Sequence, residues 1–308
     1  MTVSTARRRP LTRFVTALLT ASLAMTVFGA VGTTAVSTYS TGTKMILHNV
    51  PPEDLLANTG GVCDGSFDIV IRAVGSLSGA QRYLDAAQRC GLKVVFSFST
   101  TTNGGTVYPA RVGAWVRAVK AHPALFGYLS VKEPSWIGIS GAEIRALYRA
   151  YKAADTTHPV IALFGDIPHF GMANNPYTAG MADIVMVDWY PVETGRAGCS
   201  SVGSTFVPYG PKWFANRVHP VVAGKTRGVP IWVMVQTHKY TAPSCHKKQR
   251  PTVAQMDRQV HDALRYAGAS GIAYQTFKNV NYQSDLRRDA VLMAKLKSIT
   301  AAVRAGTY

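Results

Sequence analysis

The chain has 308 residues, 47% of them hydrophobic and 10% aromatic, which excludes a disordered polymer. Its 27 Gly and 16 Pro are not periodic, and four Cys are too few for a disulfide scaffold, so the core must come from apolar packing. The net charge is +17, and the surplus is spread through the chain rather than gathered into a nucleic-acid motif.

The first 43 residues differ in character from the rest of the chain. Arg7, Arg8, Arg9 and Arg13 make a positive start, and Phe14 to Phe28 is uncharged and apolar. Small residues come next, at Ala30, Gly32 and Ala35. This is the layout of an export signal over residues 1–35, with a short linker over 36–43. An uncleaved anchor is the second reading. Ser, Thr and Gly dilute the apolar run, and no later run is long enough to span a bilayer after cleavage. The expected location is therefore extracellular. Loss of the four arginines would take the net charge from +17 to +13. Such a surface suits an anionic glycan or wall polymer, although a merely solvated basic face is the plainer reading.

From residue 44 to 308 short apolar runs alternate with longer amphipathic stretches. The runs predict strands at Met45–His48, Phe67–Arg72, Val94–Phe98, Phe126–Val131, Val160–Phe164, Ile184–Asp188, Ile231–Gln236 and Ile272–Phe277. Ser78 with Gln81, Ser140 with Glu143 and Thr252 with Gln255 each fit a capping box at a helix start. Gly91, Gly228 and Gly271 sit where helices would end. A last helix is predicted over Asp289 to Val303. Eight β-then-α units in about 260 residues predict a single (β/α)8 barrel of the TIM type. A doubly wound sheet would want a Gly-rich turn after its first strand, and His48-Asn49-Val50-Pro51-Pro52 stands there instead.

On that frame Cys63 and Cys90 fall at one end of neighbouring units, and Cys199 and Cys245 fall at the other. Two disulfides, Cys63–Cys90 and Cys199–Cys245, are the expected pairing. The second would join the loops Val192–Ser204 and Thr237–Pro251 into one wall. No C-x-x-C or H-E-x-x-H occurs, so no metal and no cofactor is expected.

Chemistry in a barrel collects at the C-terminal strand ends. Those ends carry His48, Arg72, Lys132, Glu133, Asp166, Asp188, Trp189, Tyr190, Gln236 and Gln275. Each alone has a structural use, but together they predict a polar site. Glu133 ends a buried strand, where a carboxyl can act as a general acid. Asp188 lies two strands away, about 10 Å at the backbone. Inward-leaning carboxyls there would suit the roughly 6.5–9.5 Å spacing of inverting glycosidases. Trp136, Trp189, Tyr190 and Trp232 offer flat faces for sugar rings. Core packing is the competing use of all four, and is preferred for Trp232.

His122-Pro-Ala-Leu-Phe-Gly-Tyr-Leu-Ser-Val-Lys-Glu-Pro134 resembles the fourth-strand segment of glycoside hydrolase TIM barrels of the retaining Glu/Glu superfamily (clan A). Ala182-Asp-Ile-Val-Met-Val-Asp-Trp-Tyr-Pro191 resembles their sixth strand, and Gly228–Gln236 and Gly268–Phe277 resemble their seventh and eighth. The resemblance implies hydrolysis of O-glycosidic bonds in a poly- or oligosaccharide, with Glu133 as acid/base. Two positions depart from it. Lys132 stands where the family has Asn or Asp, and Gln236 stands where it has the nucleophilic Glu. A neutral amide cannot form a glycosyl-enzyme by carboxylate attack. Asp188 or Asp166 as an inverting base, Glu193 as a substitute, and a barrel that binds glycan without cleaving it all stay open. A metal-dependent barrel hydrolase using His48, His169 and His238 is a third class of reading.

Overall fold

The computed structural model describes residues 42–98, 108–165, 170–194, 205–206, 214–218, 220–222, 228–239, 247–279 and 284–308. The segment expected to be an export signal, Asp166, His169, Cys199 and Cys245 lie outside these residues, as does the side chain of Glu193.

Eight parallel strands close on themselves: β1 (Lys44–His48), β2 (Ile69–Val74), β3 (Lys93–Phe98), β4 (Leu125–Lys132), β5 (Val160–Phe164), β6 (Ile184–Trp189), β7 (Ile231–Gln236) and β8 (Gly271–Gln275). β8 pairs with β1 from Gly271 opposite Lys44 onward, which completes the (β/α)8 barrel. Each strand is a near-continuous apolar run because both of its faces are covered. One face fills the barrel with Ile46, Ile71, Val95, Leu129, Leu163, Met186, Met234 and their neighbours. Trp232 and Phe126 meet there with ring centroids 5.5 Å apart. The other face packs against the helices in a larger cluster that includes Leu84, Val116, Leu147, Val260 and Leu296.

The helices start and stop where local chemistry dictates. Gly141–Ala154 begins with a full capping box of Ser140 and Glu143, and Val253–Ala267 begins with one of Thr252 and Gln255. At Leu77–Arg89 the cap is Ser76, whose hydroxyl accepts from Gly79 N, so the expected Ser78 box is corrected by two residues. Gly268 at φ 61° ends the helix before β8. Gly271, expected there, belongs to β8 instead, because a Cβ on it would lie 2.5 Å from Trp232. The last helix runs Ala290–Ala305 with Asp289 as its cap. Cys63 and Cys90 are bonded as expected, with Cα atoms 4.6 Å apart.

Two features of the frame shape the upper rim. In β4 the register shifts between Leu129 and Val131: Leu129 faces Ile161, but Val131 faces Ala162. Ser130 is the extra residue, and its buried hydroxyl donates to Ile161 O at 3.1 Å. Such a bulge re-aims the side chains beyond it. Above β6, Val192–Thr194 pairs with both Thr205–Phe206 and Lys247–Lys248. The loops after β6 and β7 are thus knitted into one wall by backbone bonds, whatever Cys199 and Cys245 do.

Candidate active site

β4 ends at Lys132, on the inner register opposite Leu163. The ladder takes one more bond, Glu133 N to Leu163 O at 2.7 Å. Glu133 itself is left-handed, at φ 49° and ψ 58°. A non-glycine residue rarely adopts that conformation, and such strain clusters at functional sites. Glu133 is therefore a turn residue just past the strand rather than its last member. Pro134 then fixes the start of the short helix Pro134–Ile137.

The turn brings the Glu133 side chain across β5 to Asp188 on β6. The two carboxyls are near enough for the charge and hydrogen-bonding of Glu133 to raise the Asp188 pKa. What lets them meet is Gly165, directly after β5. A Cβ there would come within 3.2 Å of Asp188 Oδ1, Glu133 Cγ and Trp136 Nε1 alike. Asp188 Oδ1 and Glu133 Cγ thus adjoin across the space above Gly165, each 3.2 Å from the point a Cβ would take, rather than standing a full two strands apart. Burial, and after it the charge and hydrogen bond of Glu133, push the Asp188 carboxyl well above the usual carboxylate range. Lys132 and Tyr190 oppose this without reversing it. Glu133 is the more open member, its side chain 28% exposed.

Around the pair lie groups with polar atoms to spare. Among the described residues, Asp188 Oδ2, His48 Nδ1 and Gln275 Oε1 are buried without a hydrogen-bond partner. Such atoms call for water or ligand hydroxyls. Burial, then the charges of Lys132, Arg72 and His238, lower the His48 pKa well below its usual value, so its imidazole is neutral. Tyr190 stacks edge-on against His238 at 4.9 Å and reaches Met234 Sδ at 3.3 Å. Trp136 is 71% exposed beside Glu133 and is the open aromatic face of the site.

Three expected site residues are tied into the protein's own structure. Gln236 is fully buried. Its Oε1 accepts from Val192 N at 2.9 Å, and its Nε2 donates to the carbonyls of Val192, His238 and Gln249 at 3.1, 3.1 and 2.6 Å. The amide is a clamp on the loop wall. Trp189 is buried edge-on against Phe214 at 5.1 Å. Arg72 braces the first loop: its Nη1 donates to Asn49 Oδ1 at 2.6 Å, and Asn49 is held at φ 63°. Gly165 was not a candidate in the sequence, and nothing short of knowing which strands neighbour each other would have marked it.

No family model matches the chain, and no curated protein matches it in sequence. Solved structures do share its fold. GH5_18 from Streptomyces cattleya in complex with GlcNAc superposes with a TM-score of 0.58 at 11% identity, over 85% of this chain and 81% of that one. A beta-galactosidase from the psychrophilic Marinomonas ef1 superposes at 0.60 with 12% identity, over 84% of this chain and 59% of that one. The chain has the closed (β/α)8 barrel fold that these glycoside hydrolases have.

Proposed function

We propose that this barrel is an exported glycoside hydrolase that cleaves O-glycosidic bonds, with Glu133 and Asp188 acting as one proton-carrying pair. The observation that carries the reading is that pair, one member open and one buried, at the C-terminal rim of the barrel. The likeness to glycoside hydrolase folds and the exposed Trp136 beside the pair support it.

Asp188 retains a proton at a pH where an ordinary aspartate has lost it. Glu133, the accessible member, passes that proton to the glycosidic oxygen as the C1–O bond breaks. Water adds to C1 and returns a proton to the pair. Asp188 adjoins Glu133 above Gly165 and is buried, so in this reading it serves Glu133 and not the opposite sugar face. His48 and Gln275 provide polar atoms for sugar hydroxyls.

The test uses protein from residue 36 to 308 on neutral, amino and acidic polysaccharides, assayed for new reducing ends. Glu133→Gln is expected to lose about 10²–10⁴ of the rate while still binding glycan. NMR of the first anomer released gives the stereochemistry, and Asp166 and Glu193 variants show whether either serves the far face. Retention on a glycan with no release would favour the second reading, a binding barrel, for which the engagement of Gln236 as a clamp speaks. N-terminal sequencing of protein from culture medium tests export, with a start after residue 35 expected.

A further inference from the structure

Among the described residues, the rim around the carboxyl pair carries two cations, Lys132 and Arg72, that no hydrogen-bonded carboxylate neutralises. Lys132 points along the inner register of β4, its side chain 35% exposed. Its Nζ lies 3.8 Å from Glu133 Oε2, an ion pair too long for a hydrogen bond. Lys132 acts on both His48, at the end of β1, and Asp188, on β6, so its charge is central to the mouth. Arg72 also acts on His48, while its guanidinium bonds the neutral Asn49 amide. The carboxylate near it, Glu53, is held by Lys278 at 3.2 Å. Among the described residues, Lys132, Arg72 and Lys278 stand there with the carboxyls of Glu133, Asp188 and Glu53, and burial with the charge of Glu133 favours the neutral form of Asp188. His48 and His238, the remaining titratable groups against Lys132, Arg72 and one another, add no negative charge.

We infer that Lys132, seconded by Arg72, selects a glycan bearing an anionic oxygen group, a uronate carboxylate or a sulfate ester, on the sugar held against the Glu133–Asp188 pair. The ammonium of Lys132 has donors free for that group among the described residues. An ammonium paired with a carboxylate or sulfate in a partly dry cleft is stronger than the same pair on an open surface. The inference rests on the hydrolase reading for its kinetic arm alone.

The experiment measures binding in the Glu133→Gln background, where turnover does not interfere. The probes are polygalacturonate and alginate with their carboxyl-reduced neutral derivatives, and a sulfated galactan with its desulfated form. At least one anionic polymer is expected to bind about tenfold or more tightly than its neutral counterpart. Lys132→Met should bring that ratio close to one, and Lys132→Arg should restore part of it. Lys44→Met, at the exposed start of β1 on the far end of the barrel, should leave the ratio unchanged and so separates a local effect from general attraction to a basic protein. Thermal melts confirm that each variant is folded. In the catalytically intact protein, Lys132→Met should raise KM for the anionic substrate more than it lowers kcat. Equal binding within all three pairs, binding to none of the polymers, or a ratio that Lys132→Met leaves intact would each overturn the inference. Failure of the hydrolase reading shows separately, as anionic preference without reducing ends from the wild type. The carboxylate and sulfate arms distinguish the two sources of charge.

Discussion

At the scale of single residues, the site depends on a side chain that is absent. Gly165 leaves the space in which carboxyls from alternate strands meet. In Gly165→Ala the added methyl would press on both carboxyl arms and on the Trp136 indole. A displacement of this kind costs about 10²-fold in rate. It should also release Asp188 from Glu133, so the alkaline limb of the pH–rate profile should move to lower pH. Steady-state kinetics across pH checks both. Gln236→Glu tests a different kind of dependence. A carboxylate there would face three backbone carbonyls in a dry interior, so the variant should lose about 3 kcal/mol in urea unfolding and gain no activity. The sequence marked Glu133 and Asp188 because acidic residues at the ends of apolar runs are conspicuous. It misassigned Gln236 because the position in a strand fixes where a residue starts, whereas the loop that folds over it decides what its amide meets.

At the scale of elements, the lower end of the barrel is held by charge. Tyr128, at 2.7 Å, and His158, at 2.6 Å, bond Asp155 just after the helix Gly141–Ala154. Burial alone would raise the Asp155 pKa. These side chains and the backbone N–H groups of Thr157 and His158 outweigh it and hold the carboxyl at about 2. The unfolded chain binds that proton near pH 3.8. Between these values the unfolded state holds more protons, so the stability the network supplies is present above about pH 3.8 and is lost as pH falls toward 2. The whole contribution is on the order of 2 kcal/mol. Asp155→Asn should flatten the stability profile in that window, as read by denaturant titrations at successive pH. The elements themselves were legible: eight buried runs, and two of three capping boxes, sit where pattern and chemistry put them. The third box failed because Ser76 and Ser78 compete for one helix start, and only the chain's path from β2 decides between them.

At the scale of the whole molecule, closure of the barrel is itself a packing constraint. β8 closes on β1 at Gly271, and the Trp232 indole from β7 lies against that glycine inside the barrel. Gly271→Ala would overpack this seam and should cost about 1–3 kcal/mol, seen as a lower melting temperature with little change in KM. The fold class followed from counting β/α units, because parallel strands covered on both faces leave a strong sequence signal. The meeting of Glu133 and Asp188 did not follow. Backbone spacing separates them by two strands, and only the left-handed turn at 133 with an empty position at 165 removes that distance.

The extra residue in β4 also shows how the barrel tolerates a change in chain length. Strand side chains alternate strictly, so an inserted residue inverts which of them face inward unless a bulge takes it up. Ser130 is taken up in that way: Val131 still faces Ala162 and Lys132 still faces Leu163, the register that would hold with no residue between Leu129 and Val131. Deleting Ser130 would therefore leave Lys132 on the inner face and remove only the local bend below Lys132 and Glu133. A one-codon change at that position alters the aim of the rim and spares the alternation beneath it.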